Sequence, residues 1–584
     1  MRPAKPTGRY TGKGGDRLPR YSIGLDYGTL SVRALLLNLD TGEEAGVEEY
    51  LYPHGVMDRL LPADCTGSEP IPLGHEWALQ HPQDYLDALG TLIPALLRNA
   101  GAQPEEVAGI GLDFTSCTIL PTTTDGSPLC LTEPFRREPH AYVKLWKHHA
   151  AQYCADRLND VASRRREPFL ARYGGRISSE WLVPKAMQIA IEAPEIYHAA
   201  GRIIEAGDWV VWQLCGREVR SACNAGYKAL WHHTDGYPSE DFFRELAPEM
   251  EHFVREKLDA PIAPLGSMAG RLTKQAAKLT GLKEGTPVAV GIIDAHASVP
   301  GSAIGNPGTM LLILGTSTCH MLLSRDEQPV EGACGVVKDG ILPGFFGYEA
   351  GQSCVGDHFS WFVQNSMPGW AMDEANKTGL SPHEWLSQKA AGLSPGESGL
   401  IALDWFNGVR SVLMDFDLSG LIVGMTLQTK PWEIYRALIE ATAFGTRRII
   451  EAFESQGIPV EALCAAGGIA HKNPLLMQIY ADVCGREIRL TGSRQSGALG
   501  SAILGAAAAE KEPTDDSDLC GAAARLGRLD NGTAYRPDPG RTAAYDHLYA
   551  QYLALHDLFG RKISVMKDLK RMRVKASEPS RKNN

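Results

Sequence analysis

Apolar and polar positions along the chain alternate in short blocks, and the blocks separate into strand-turn-strand units and longer helical stretches. Tyr21-Ser-Ile-Gly-Leu-Asp-Tyr-Gly-Thr29 reads as a strand entering a turn, and Val32 to Leu39 follows as a second strand before the Asp40-Thr-Gly42 turn. Together they predict a β-hairpin whose turn is rich in glycine and hydroxyl residues. Residues 50–80 carry Pro53, Gly55, Pro62, Gly67, Pro70, Pro72 and Gly74, which predicts a long irregular excursion. Asp84 to Leu97 has helical apolar spacing, and Gly109 to Phe114 reads as a buried strand.

From 141 to 260 the pattern is mainly helical, with a strand at Gly201–Glu205 and a loop around Asn224. The apolar run Pro287 to Asp294 predicts a strand covered on both faces. Thr309 to Leu323 again reads strand, Gly-Thr turn, strand. Pro431 to Phe453 predicts a helix with proline in its first turn and Gly457 as its stop. Residues 462–470 form a strand running into a Gly-Gly turn, a helix starts near Pro474, and another starts at Gly497.

The hairpin holding Gly28-Thr29 recurs 287 residues later as the hairpin holding Gly315-Thr316, about half the chain length. That repetition predicts two α/β domains of similar build, each offering a Gly-Thr hairpin to a shared cleft. The expected division is a basic tail at 1–20, domains at 21–285 and 286–560, and a basic tail at 561–584.

Composition narrows the class. With 584 residues, 44% hydrophobic and 22% charged, the chain is that of an ordinary globular protein too long for one core. No apolar run has the length of a membrane span and the first twenty residues lack a signal-like stretch, so the expectation is a cytoplasmic protein without a membrane partner. The twelve cysteines are scattered, with no C-x-x-C pair, and read as buried small hydrophobes. The net charge of −11 hides basic ends; without the two tails the body stands near −23, which argues against a nucleic-acid surface. The tails themselves read as short solvated termini, and a symmetric homodimer is the base-rate assembly.

Three glycine-rich turns carry the candidate chemistry. In Asp26-Tyr-Gly-Thr-Leu-Ser31, Gly28 lets backbone N–H groups approach an anion and the Thr29 and Ser31 hydroxyls add donors. Asp26, at the strand end, offers the hard oxygen that Mg²⁺ prefers. Gly315-Thr316-Ser317 repeats the arrangement, so two hairpins could grip a polyphosphate from both sides. Gly467-Gly468, with Asn473 before the next helix, would let a flat nucleoside lie on the backbone. Asp294, at a strand end and followed by Ala295-His296-Ala297, is placed to orient a hydroxyl and take its proton during phosphoryl transfer. Lys228 in Ala225–Ala229 and Glu349 in Gly347–Gly351 are a donor and an acceptor; on its own Lys228 reads as a surface salt-bridge partner.

The ordered set of turns at 24–33, 313–318 and 464–474 resembles the sugar kinase, actin and heat-shock ATPase superfamily. Within it the chain resembles the FGGY carbohydrate kinases. Leu145–His149, Ser178–Leu182, Cys223–Trp231, Gly347–Gln352 and Leu403–Gly408 resemble the bacterial L-ribulose kinases of that family, over roughly residues 21–560. The resemblance implies two actin-like (ribonuclease H-like) ATPase domains of α/β class around a catalytic cleft, with ATP and Mg²⁺ as cofactors. It implies phosphorylation of L-ribulose at its terminal hydroxyl in L-arabinose catabolism, Asp294 as base, and Ser116, Lys228, Asp294 and Glu349 lining the sugar site. Leu30 stands where many relatives carry a polar residue, and Ser116 alters the pocket floor. The alternatives are an FGGY kinase for D-ribulose, xylulose or a pentitol, and, from another class, an actin-like regulatory ATPase without sugar chemistry.

Overall fold

The computed structural model describes residues 20–63, 69–510 and 518–577. The expected basic N-terminal tail, apart from Arg20, lies outside the described residues.

Two seven-stranded sheets organise the chain. The first is built from β1 (Tyr21–Tyr27), β2 (Ser31–Asn38), β3 (Glu44–Leu51), β4 (Val107–Phe114), β5 (Met268–Arg271), β6 (Pro287–Ala289) and β7 (Ile292–Ile293). Its order is β5-β6-β4-β1-β2-β3, with β7 pairing on β4. The second holds β8 (Thr309–Leu314), β9 (Thr318–Ser324), β10 (Gly335–Lys338), β11 (Phe346–Gln352), β12 (Ala462–Ala466), β13 (Ile488–Thr491) and β14 (Leu529–Tyr535), in the order β10-β11-β9-β8-β12-β13-β14. Each sheet has the same nucleus. An antiparallel hairpin (β1–β2, β8–β9) has a further antiparallel strand on one side and a parallel strand on the other. The internal repeat read from the two Gly-Thr turns is therefore a repeat of sheet topology.

The strand expected over 287–294 is interrupted. β6 and β7 both pair with β4, so the first sheet takes chain past residue 285 and up to Ile293. Asp294 does not end a strand but opens the helix α3 (Asp294–Gly301). The loop expected around Asn224 is also helical: α2 (Ala222–Lys228) is capped by the Ser221 side chain, which accepts from Cys223 N. Lys228 is that helix's last residue. Beyond the end of β3 at Leu51, the only strands up to residue 80 among the described residues are two-residue pieces, in keeping with the proline and glycine spacing.

One helix joins the two halves. It is α7 (Ser496–Ala509), which follows β13 in the chain yet packs on β4, β1 and α3 of the first sheet. Its approach is permitted by glycines: a Cβ at Gly24 would overlap Ala498 O, and one at Gly111 would overlap Ser501 O. Where α7 crosses α3, Gly500 meets Ala297 O and Gly301 meets Ser496 O in the same close way. Backbone on backbone at four glycine positions leaves little freedom of register.

The expected solvated C-terminal tail is instead docked over part of its length. Helix α8 (Val565–Ser577) buries Met566, and Lys567 and Lys570 pair with Asp415 and Asp417 at 2.5 and 2.9 Å. The basic composition concealed an apolar period at Val565, Met566, Leu569 and Met572.

Candidate active site

Each Gly-Thr hairpin is closed by its own glycine. Gly28 N donates to Ser31 O (2.9 Å) and Gly315 N donates to Ser317 O (2.9 Å). The second turn is further held where Val355 N and Gly356 N donate to Thr316 O and Gly315 O at 2.8 and 3.0 Å. Gly315 and Thr316 remain exposed to solvent, as an anion cradle must be. In the first turn the side chains are more committed. Trp146 Nε1 donates to Thr29 Oγ1 (3.0 Å), Gln80 Nε2 donates to Thr29 O (2.8 Å), and Ser31 Oγ gives its proton to Glu49 (2.8 Å). Leu30 is 58% exposed and offers a ligand no polar group.

Gly467 sits at φ +94°, and a Cβ there would overlap Leu314 O at the end of β8. Gly468 faces open space, with nothing within 4 Å of a built Cβ. That pair gives a tight turn followed by bare backbone, the geometry a flat nucleoside needs. Asn473 is occupied differently: its side chain accepts from Leu476 N and caps the following helix (Pro474–Cys484).

The carboxylates converge between the hairpins. Asp26 and Asp113 are register partners on the parallel strands β1 and β4, close enough for each carboxyl to act on the other. Asp113 is fully buried, accepts from Ser501 Oγ on α7 (2.7 Å), and leaves its Oδ1 without a partner. A Cβ on Gly497 would stand 3.5 Å from Asp113 Oδ2, 3.7 Å from Asp294 O and 3.8 Å from Asp26 Oδ2. The N-terminus of α7, with its partial positive charge, therefore closes over all three residues. Burial raises the pKa of Asp26 and of Asp113, the latter further through the Asp26 charge. Burial likewise lifts Asp294 to about 7, against the Ala295 N–H that donates to its Oδ1 at 2.8 Å. Oxygen-only donors, one of them orphaned in the interior, fit a small hard cation at Asp26.

A second charged group lies beside Asp294. Lys228 Nζ meets Glu349 Oε2 at 2.9 Å, with the lysine only 3% exposed and set over the Trp181 and Tyr227 rings. Burial alone would raise Glu349, but Lys228 and then His296 outweigh it and hold its carboxyl well below the usual range. His296 Nε2 is 3.4 Å from the same Glu349 oxygen, and its Nδ1 lies 3.1 Å from Cys223 Sγ. Burial pushes the Cys223 thiol well up, so a neutral thiol stands beside Nδ1 while Nε2 faces Glu349. Ser116 lies in the turn after β4, next to Cys117 at φ +59°.

Asp294, Lys228 and Glu349 thus form one cluster, and Asp26 joins Asp294 from beside the first Gly-Thr turn. Sequence reading missed Asp113, His296 and Cys223. For Asp113 a signal existed: Ile23-Gly-Leu-Asp26 recurs letter for letter as Ile110-Gly-Leu-Asp113. The histidine and cysteine have no sequence signal, because their partners come from distant segments. The paired histidines His148-His149 and His232-His233 form no metal cluster among the described residues; the one candidate group there is His54, His81 and Asp84.

The sequence patterns of two domains match this chain: the N-terminal domain of the FGGY family of carbohydrate kinases over residues 21–301, and its C-terminal domain over 310–509. A ribulokinase of Bacillus licheniformis is 55% identical over 544 residues, covering 93% of this chain and 98% of the relative. Ribulokinases of Geobacillus thermodenitrificans (53% over 552 residues, 94% and 97% covered) and Mycolicibacterium smegmatis (50% over 560 residues, 96% and 97%) are similar in extent. Among solved structures, a xylulose kinase from Rhodospirillum rubrum shares the fold, with TM-score 0.74 at 23% identity over 92% of this chain and 98% of that one.

Proposed function

Because this chain belongs to the FGGY family of carbohydrate kinases, we propose that it transfers the terminal phosphoryl group of ATP to L-ribulose, giving L-ribulose 5-phosphate and ADP. The observation that carries the reading is the buried Lys228–Glu349 pair beside Asp294. An actin-like ATPase without sugar chemistry has no use for a desolvated donor-acceptor pair there. The ribulokinase relatives named above, at half identity or more over nearly the whole chain, favour ribulose over other pentuloses.

In this reading Lys228 and Glu349 fix hydroxyls of the ketose, with Ser116 at the pocket floor. Asp294 orients the terminal hydroxyl and takes its proton as the bond to phosphorus forms. Its pKa near 7 suits a base that must be ionised before transfer and protonated after it. The backbone of Gly28, Thr29 and Gly315–Ser317 cradles the phosphates, and Gly467-Gly468 carries the nucleoside. The Ser31 hydroxyl and Asn473 side chain, already engaged by Glu49 and Leu476 N, support these turns. Asp26 would hold Mg²⁺ directly or through water; when bound, the ion neutralises phosphate charge. Closure of the two halves would exclude water and limit wasteful hydrolysis.

We place the division between the domains after α3, at 302–308, because β6 and β7 belong to the first sheet. A cytoplasmic location and a symmetric homodimer complete the proposal, the second open to sedimentation velocity. Among the described residues no helix is long and apolar enough to cross a membrane.

The test is ADP release with MgATP across L-ribulose, D-ribulose, xylulose, pentitols and glycerol. L-Ribulose should give the highest kcat/KM; if xylulose or a pentitol exceeds it, the substrate assignment fails while the kinase reading stands.

A further inference from the structure

Arg410 lies in the loop after the strand Ile401–Leu403, and the next residue fastens that loop to β11. Ser411 N donates to Gly351 O (2.9 Å) and Gly351 N donates to Ser411 Oγ (3.1 Å). Gly351 is two positions beyond Glu349 on β11, so both present the same face of the strand. A Cβ at Gly351 would stand 3.1 Å from a guanidinium nitrogen of Arg410 and 3.3 Å from its Cδ. The missing side chain is what lets the arginine lie along the sheet next to Glu349. Cys319, the cross-strand partner of Gly351, is also beside it.

This guanidinium is partly buried, and among the described residues it has no hydrogen bond and no ion pair. Glu180 from the first half and Glu349 from the second act on its charge only from beyond ion-pair distance. A planar fork of five donors, partly buried and bonded to none of the acceptors around it, is costly unless something else supplies them. The backbone clamp at Ser411 means the fork need not be ordered when that partner arrives.

The geometry points to Arg410 as a sugar-binding residue, its fork taking two neighbouring oxygens of the ketose from the second-half side of the cleft. A hydroxyketone or vicinal diol presents two acceptors at the spacing a guanidinium spans, whereas a lone hydroxyl does not. Lys228 belongs to the first half and Arg410 to the second, so the sugar would be gripped from both and would favour the closed arrangement. The inference rests on the ketose-kinase reading above.

Steady-state kinetics of the full chain test it, with Arg410→Ala and Arg410→Lys measured against ketose and MgATP separately. Loss of a charge-assisted contact should raise the ketose KM about ten- to a hundredfold in the alanine variant, with the MgATP KM moving less than about twofold. Lysine, a point charge without the fork, should recover only part of the loss. A ketose lacking one hydroxyl of the gripped pair should be less sensitive to Arg410→Ala than the parent sugar. An unchanged ketose KM, a fall in kcat alone, or equal rises in both KM values would overturn the assignment. If the alanine variant does not fold, an unaltered ketose KM in Arg410→Lys overturns it equally. A wild-type chain that phosphorylates no ketose would instead sink the kinase reading, which separates the two failures.

Discussion

As the proposed base, Asp294 has to be charged in a place that penalises charge. Its carboxyl stands at about 7 in the fold, against the ordinary 3.8. Between those values the folded chain holds the proton more tightly than the unfolded one. The stability this group contributes is therefore complete below pH 4 and is lost as pH rises through 7. Asp294→Asn removes the loss, so the variant should melt above wild type at pH 8 and lose that advantage toward pH 4, by scanning calorimetry. Its kcat should fall about 10²- to 10⁴-fold. For the wild type, kcat/KM for the sugar should rise with pH and level off above about 7. A flat profile would remove Asp294 as the titrating base.

The Lys228–Glu349 pair makes a second demand at this scale. Lys228→Met strips a buried carboxylate of its main counter-charge and leaves it to the His296 ring and the more distant Arg410, a change that typically costs about 3–5 kcal/mol. Thermal unfolding should show that loss, and Lys228→Met with Glu349→Gln together should recover part of it. The pair was legible as two separate polar residues in glycine-bordered segments. Their contact was not, because α2 and β11 lie far apart in the chain and only the fold joins them.

At the scale of elements, the hairpins and the α7 helix do most of the placing. Glycines at 24, 111, 301 and 500 let helix backbone touch strand and helix backbone. Gly111→Ala sets a methyl against Ser501 O, the residue whose hydroxyl holds Asp113. It should destabilise by about 1–3 kcal/mol or more, measured by denaturant unfolding, and should weaken catalysis through the displaced carboxylate. The Gly-Thr hairpins, the strand at 462–466 and the long helix at 431–454 were readable from period and punctuation. Where reading failed, the cause was local ambiguity. A continuous apolar run at 287–294 proved to be two short strands and a helix start, and small residues at 222–228 favoured a capped helix over a loop. The repeated Ile-Gly-Leu-Asp string shows that the Asp26–Asp113 pair was present in the sequence but invisible to motif spacing, since the strands pair across some 87 residues.

Over the whole molecule, two topologically matched sheets bring the carboxylates together, Asp26 and Asp113 from the first and Glu349 from the second. The repeat distance revealed the two-sheet architecture but not that β6 and β7 return to the first sheet after 285. The helix at 565–577 docks by Met566 and two lysine–aspartate pairs, an arrangement that basic composition disguised. If the halves close on sugar and nucleotide, small-angle scattering should show a smaller radius of gyration with both ligands than with either alone.

The central claim is that phosphate passes from ATP to a sugar hydroxyl and not to water. Phosphorus NMR of a stoichiometric reaction with L-ribulose follows that transfer directly. ADP and one phosphomonoester signal coupled to a sugar methylene should grow together, and both should nearly vanish with Asp294→Asn. Growth of ADP with inorganic phosphate alone would contradict the account and return the chain to the class of actin-like ATPases.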